Sequence, residues 1–153
     1  MKKVRDFMNP HVIYFKPEDS IFKVAKVFSK NNISGAPVVK RNKVIGIISE
    51  CDIVKFMSSK LGKKSSVILP SLSLLVFSFI KDHVNLKGEL KRISKTKIKH
   101  FMTKKVVSIS PEASLLEAAS VMEKNDINRL PVIDNEKLVG IIARADLIKA
   151  LIE

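Results

Sequence analysis

The stretch Asn31–Asp52, NNISGAPVVKRNKVIGIISECD, returns as Asn125–Asp146, NDINRLPVIDNEKLVGIIARAD. Asn31 falls on Asn125, Ile33 on Ile127, Pro37 on Pro131, Gly46 on Gly140, Ile47–Ile48 on Ile141–Ile142 and Asp52 on Asp146. Working outward, the same offset of 94 carries residues 6–57 onto 100–151 without a gap, with 19 identities in 52 positions. Phe7 and Met8 meet Phe101 and Met102, and Pro17, Glu18 and Ser20 meet Pro111, Glu112 and Ser114. Two copies of one supersecondary unit pack together because each alone leaves an apolar face uncovered. A pseudo-twofold pair is therefore expected, with function sought in equivalent clefts where the copies meet.

Each copy reads β-α-β-β-α. Val12–Phe15 and Val106–Ile109 are β-branched runs closed by Lys16-Pro17 and Ser110-Pro111. A helix follows, with an apolar stripe of Ile21, Val24, Ala25 and Phe28 in the first copy and Leu115, Ala118, Ala119 and Met122 in the second. Ser114 and Glu117 have capping-box spacing. Ala36–Val39 and Lys43–Ile48 pair around the polar turn Lys40–Asn42, and Leu130–Ile133 and Lys137–Ile142 around Asp134–Glu136. Final helices are expected near 51–59 and 145–152. The class is α/β, an α+β sandwich of two β-α-β-β-α repeats. Residues 1–58 form repeat 1, 59–97 a basic and apolar connector with a helix, and 98–153 repeat 2.

A chain of 153 residues with 46% hydrophobic content can bury a core. Its net charge of +13 is uneven: +6 over residues 1–57, +10 over 58–105 and −3 over 106–153. The surplus centres on Lys91, Arg92, Lys95, Lys97, Lys99, Lys104 and Lys105. Such a patch attracts nucleic acid or anionic membrane. A solvated lysine face is the plainer reading, because 81–100 has no aromatic residue to stack a base. Val67–Ile80 is almost wholly apolar, and its 14 residues are too few to span a membrane. It reads as a core or dimer-interface helix, then as a membrane-surface or partner-binding element. The lone Cys51 reads as a buried packing residue, and the absence of a leader fits a cytoplasmic location.

Pro-Glu-x-Ser, then Asn-x-Ile-x-x-x-Pro-Val, then Gly-Ile-Ile-x-x-x-Asp, each occurring twice, resembles a tandem pair of cystathionine-β-synthase (CBS) domains. The resemblance covers 4–58 and 98–152. It implies a regulatory module that binds adenosine-containing ligands in two clefts and often dimerises.

The residues carry their own chemistry. In Gly46–Asp52 a buried strand runs into a helix, whose free N–H groups and dipole favour an anion. Asp52 offers a carboxylate to ribose hydroxyls and Ser49 a hydroxyl to phosphate. Ser49-x-x-Asp52 is also a helix cap with its return partner. The second copy, Gly140–Asp146, has Ala143 in place of Ser49 yet keeps the acid, which favours ribose binding there.

The resemblance implies that each cleft draws its acid from one copy and its base and phosphate contacts from the other. One set is then Ser49, Asp52, Ser108, Ile127, Asn128 and Arg129. The other is Asp146, Arg144, Tyr14, Ile33, Ser34 and Gly35. With Arg129, the Asp52 set is expected to take AMP, ADP or ATP. The Asp146 set, with Gly35 where the first has Arg129, is expected to bind phosphate weakly, take an S-adenosyl compound or stay empty.

No metal-ligand spacing joins His11, His83 or His100, and no nucleophile, phosphate-loop or dinucleotide motif is present. The expectation is a non-enzymatic, homodimeric sensor with no required cofactor, acting on an unknown effector protein. A nucleic-acid-binding protein using the basic connector is the alternative, and peripheral membrane contact is the least expected partner.

Overall fold

A computed structural model describes residues 1–61 and 86–153. The elements are α1 (Val4–Phe7), α2 (Ile21–Asn31), β1 (Gly35–Lys40), β2 (Lys43–Ser49), α3 (Glu50–Leu61), α4 (Leu86–Ser94), a 3-10 turn at Ile98–His100, α5 (Leu115–Asn125), β3 (Arg129–Asp134), β4 (Lys137–Ala143) and α6 (Arg144–Lys149). β1 and β2 form one two-stranded sheet and β3 and β4 another. The mixed helix-and-strand repeats of the sequence reading are present. The membrane and interface readings of Val67–Ile80 lie outside the described residues.

The chain divides into two compact units that interleave the repeats. One contains Met1–Tyr14, Pro37–Gly46 and Lys104–Glu153, the other Phe15–Ala36 and Ile47–Thr103. The segment leading into each repeat is thus built into the body of the other repeat.

In the first unit, Val4 N–H donates to Ala113 O at 2.9 Å and Arg5 N–H to Pro111 O at 3.1 Å. Lys2 O accepts the first helical N–H of α5, from Leu115, at 3.3 Å. Val4 is fully buried, joining Ile109, Ala118, Met122, Leu130, Val132 and Ile142 in the core. The second unit repeats the device residue for residue. Ile98 N–H donates to Asp19 O at 2.9 Å, Lys99 N–H to Pro17 O at 3.1 Å, and Thr96 O accepts from Ile21 N–H, opening α2, at 3.0 Å. Ile98 is fully buried among that unit's own core residues, which include Phe15, Val24, Phe28, Ile48 and Ile53. Phe15 and Phe28 meet edge to face at 5.8 Å. Each such side chain contributes roughly 1.5–3 kcal/mol relative to exposure.

The helices and hairpins start and stop for local reasons. Ser20 and Ser114 cap α2 and α5, accepting from Lys23 N–H at 3.2 Å and Glu117 N–H at 3.1 Å. Asn32 and Asp126 end these helices in the left-handed region, at φ 52° and 51°. The hairpin turns place Arg41 and Asn42, and Asn135 and Glu136, at φ between 48° and 66°. Two positive φ values in succession match the twist of paired strands. In the second hairpin β3 and β4 are antiparallel, with a register shift between Val132 and Ile133.

Three expectations are corrected. Val12–Phe15 and Val106–Ile109 are not strands: only Phe15 and Ile109 bridge. Ile109 pairs in parallel with Val132, its N–H donating to Pro131 O at 3.0 Å and its carbonyl accepting from Ile133 N–H at 2.9 Å. Pro17 and Pro111, which have no N–H, stop the ladder almost at once. The last helix ends at Lys149, short of 152. Cys51 is exposed, because the buried stripe of α3 runs through Ile53 and Met57.

Candidate functional site

Each acid stands where the second hairpin strand becomes a helix. In the second unit, Ser49 ends β2 and Glu50 opens α3. Asp52 Oδ2 accepts from Ser49 N–H and from Ser49 Oγ–H, both at 2.9 Å, and Ser49 Oγ accepts from Asp52 N–H at 3.3 Å. The cap with its return partner, one of the two readings of the sequence, is therefore present. Asp52 Oδ1 accepts a further bond, from Thr103 Oγ1–H at 2.9 Å. Thr103 is held by paired main-chain bonds with Ile47, at 2.8 and 2.9 Å.

In the first unit, Ala143 precedes α6 and its N–H donates to Asp146 Oδ2 at 2.8 Å. Half of the capping box thus survives without its hydroxyl. That gives Asp146 a structural role of its own, so the persistence of the acid is not by itself a mark of ribose binding.

The loop before each first hairpin strand packs beside the acid of its own repeat. Ser34 O accepts from Glu50 N–H, and Asn128 O accepts from Arg144 N–H, both at 3.0 Å. Arg129 faces Ala143 across the β3–β4 ladder. The second unit therefore gathers Ile33, Ser34, Gly35, Ser49 and Asp52, and the first contains Tyr14, Ser108, Ile127, Asn128, Arg129, Arg144 and Asp146. These bonds also correct the expected anion site. Glu50 N–H and Asp52 N–H are both taken, so the entrance of α3 offers fewer free donors than the bare sequence implies.

Electrostatics adds further partners. Arg144 is half exposed and lies 3.9 Å from Asp126. Tyr14 is exposed and lines a shallow cavity of about 300 Å³ with Val39, Asn42, Lys137 and Leu138, all outside the expected ligand set. Glu18 pairs with Lys99 and Lys97, each at 2.9 Å. Hydrogen bonds from Lys99 and then Lys97 pull its carboxyl down to about 2. Two cations of the basic patch are thereby neutralised. Glu112 repeats the arrangement with Lys3, at 2.6 Å, and Arg5.

The largest concavity among these features is elsewhere in the first unit: a mostly apolar groove of about 820 Å³ between α5 and α6, lined by Leu115, Leu116, Leu147, Ile148 and Leu151 among others. Among the described residues no group of His, Cys, Asp and Glu could hold a metal, and no helix is long and apolar enough to cross a membrane.

Thr103, absent from the sequence-based set, is the residue that reasoning missed. Its signal is faint: a hydroxyl one residue beyond Phe101-Met102, where the first copy has Asn9.

Comparison with known proteins agrees with this architecture. A family description, CBS domain, matches residues 4–59 and 98–153. Uncharacterized protein MJ1426 of Methanocaldococcus jannaschii is 40% identical over 154 residues, covering 97% of this chain and 90% of its own. Other relatives are longer: the chain spans 39% of one and 46% of another. The crystal structure of CBSX2 in complex with AMP superposes with a TM-score of 0.72 at 21% identity, covering 99% of this chain and 97% of that one. The CBS domain pair of protein MJ0100, in complex with 5′-methylthioadenosine and S-adenosyl-L-methionine, gives 0.70 at 23% identity, covering 99% and 96%.

Proposed function

Because the chain belongs to the CBS-domain family and carries the domain twice, we propose that it is a regulatory module that senses adenosine-containing ligands. The observation that carries this reading is the family match over both repeats, residues 4–59 and 98–153; Asp52 and Asp146, each oriented by a main-chain N–H at a strand-to-helix junction, are the acids it would use. A fixed carboxylate suits sugar hydroxyls, which donate strong bonds to a charged acceptor. The ligand-binding residues of this reading are Ile33, Ser34, Gly35, Ser49 and Asp52 of one unit and Tyr14, Ser108, Ile127, Asn128, Arg129, Arg144 and Asp146 of the other.

The ligands named for CBSX2 and the MJ0100 pair, AMP and S-adenosyl compounds, support the chemical class. Occupancy is read out by a homodimer or an effector protein in the cytoplasm, through a shift between states of different affinity. No catalytic step is assigned.

A thermal-shift panel of AMP, ADP, ATP, S-adenosylmethionine, methylthioadenosine and NAD, on wild type, Asp52→Ala and Asp146→Ala, tests the reading. Stabilisation by one ligand class, reduced in at least one variant, is expected. A panel with no shift for any compound ends it.

A further inference from the structure

The 94-residue offset lays the open groove of the first unit onto a covered place in the second. Leu115, Leu147, Ile148 and Leu151 fall on Ile21, Ile53, Val54 and Met57. Leu151 is 80% exposed and Met57 only 5%. Ile148 is exposed where Val54 is half-buried, and Leu115 and Leu147 are half-buried where Ile21 and Ile53 are buried. The difference is α4. It lies against α2, its Ile93 is buried, and it meets Phe56 and Lys60 of α3 around a small cavity of about 220 Å³. A helix laid on this pair of helices takes their apolar stripe out of water, and among the described residues only the second unit has one.

The two faces also differ in charge. On α4, Lys91 and Arg92 are exposed, and residues 58–105 carry +10. Two copies related by a twofold axis bring the same surface together from both sides. The α4 face would then meet its own positive charge, a like-charge contact that opposes association. The rim of the open groove holds Glu123 and Asp126 beside Lys2 and Arg144, all exposed. Carrying both signs, that surface can pair with itself.

We infer that the groove between α5 and α6 seats a second copy of this chain, and that α4 is a built-in cover withholding the equivalent face of the second unit from self-association. The inference rests on the homodimer reading and says which face carries it. Phe22, which falls on Leu116, is the large apolar residue still exposed beside the cover. It has no exposed apolar neighbour there comparable to Ile148 and Leu151, so it does not hold a copy alone.

Light scattering and hydrogen exchange on the full chain test the inference. Ile148→Glu should halve the mass to one chain, and Phe22→Glu should keep the two chains of wild type. Adding Leu90→Ala and Ile93→Ala to Ile148→Glu strips α4 of its grip and should bring back the mass of two chains. Where that triple variant does not fold, wild type decides: on dilution the amides of α6 should exchange faster while those of α3 do not change. A dimer that Phe22→Glu breaks, or that Ile148→Glu leaves whole, overturns the inference and leaves the homodimer standing. So does a folded triple variant that stays one chain, or exchange in α3 that rises on dilution. Wild type with the mass of one chain at every concentration overturns the homodimer, and the inference falls with it.

Discussion

Lys99 donates to Glu18 at 2.9 Å across 81 residues of sequence. The contact pins the start of repeat 2 to the body of repeat 1, and Lys3 and Arg5 do the same for Glu112. These are the charged ends of the interleaving that gives each unit residues from both repeats.

Acid should reveal the Glu18 pair. Its carboxyl is lowered from 4.5 to about 2, so its contribution to stability is fully present above about 4.5 and is lost as pH falls towards 2. The group is exposed, and the effect should be small and weakened by salt. Wild type is expected to melt above Glu18→Gln at neutral pH in low salt. The two curves should converge near pH 2 and in high salt. A gap that stays constant from pH 6 to pH 2 would contradict the assignment.

Gly140 is required by its own chain. A Cβ there would stand 2.5 Å from Met8 Sδ, 3.0 Å from Met8 Cγ and 3.2 Å from Asn9 O. Met8 can swing aside, but Asn9 O is bonded to Ile141 N–H at 3.0 Å and cannot. Gly140→Ala should cost about 1–3 kcal/mol in urea unfolding, as overpacking does. Met8→Ala in the same chain should recover part of that loss. An unaffected single variant would show that the lead-in segment is not docked as described.

The caps separate structural from ligand effects. Ser49→Ala and Asp146→Ala should each lower stability by about 1 kcal/mol with no ligand present, as lost caps do. Ligand binding must then be read as the shift each variant gains over its own apo melting temperature. Equal apo stability of wild type and both variants would remove the capping role.

What was legible in the sequence follows from periodicity. The hairpins alternate, their turns are polar, and α2 and α5 carry both a cap and an apolar stripe. The first strands misled because Val12–Phe15 and Val106–Ile109 have strand composition while Pro17 and Pro111 limit pairing to one residue. The helix α4 was not placed within the connector: Leu86, Leu90 and Ile93 have helical spacing, but Gly88 and the flanking lysines mask it. The interleaving was hidden because the identities thin out at the start of each repeat. Lys3-Val4-Arg5 and Lys97-Ile98-Lys99 lie just before the aligned block, and only burial reveals Val4 and Ile98 as core. At the site, the acids were visible as repeated residues. Thr103 was not, because a bond spanning 51 residues leaves no local pattern.

The apolar groove gives the homodimer its sharpest test. Leu116, Ile148 and Leu151 are 81%, 64% and 80% exposed and line one concavity on α5 and α6 and the turn that follows. Scattered exposed leucines need no explanation, but a continuous apolar surface marks an interaction site. A second copy presenting the same surface would bury these side chains in a closed, self-complementary contact. Ile148→Glu puts a charge into that contact and leaves the buried core untouched. Light scattering should therefore report two chains for wild type and one for Ile148→Glu, with unchanged circular dichroism. Wild type with the mass of one chain at every concentration removes the homodimer, and signalling then falls to an effector protein alone.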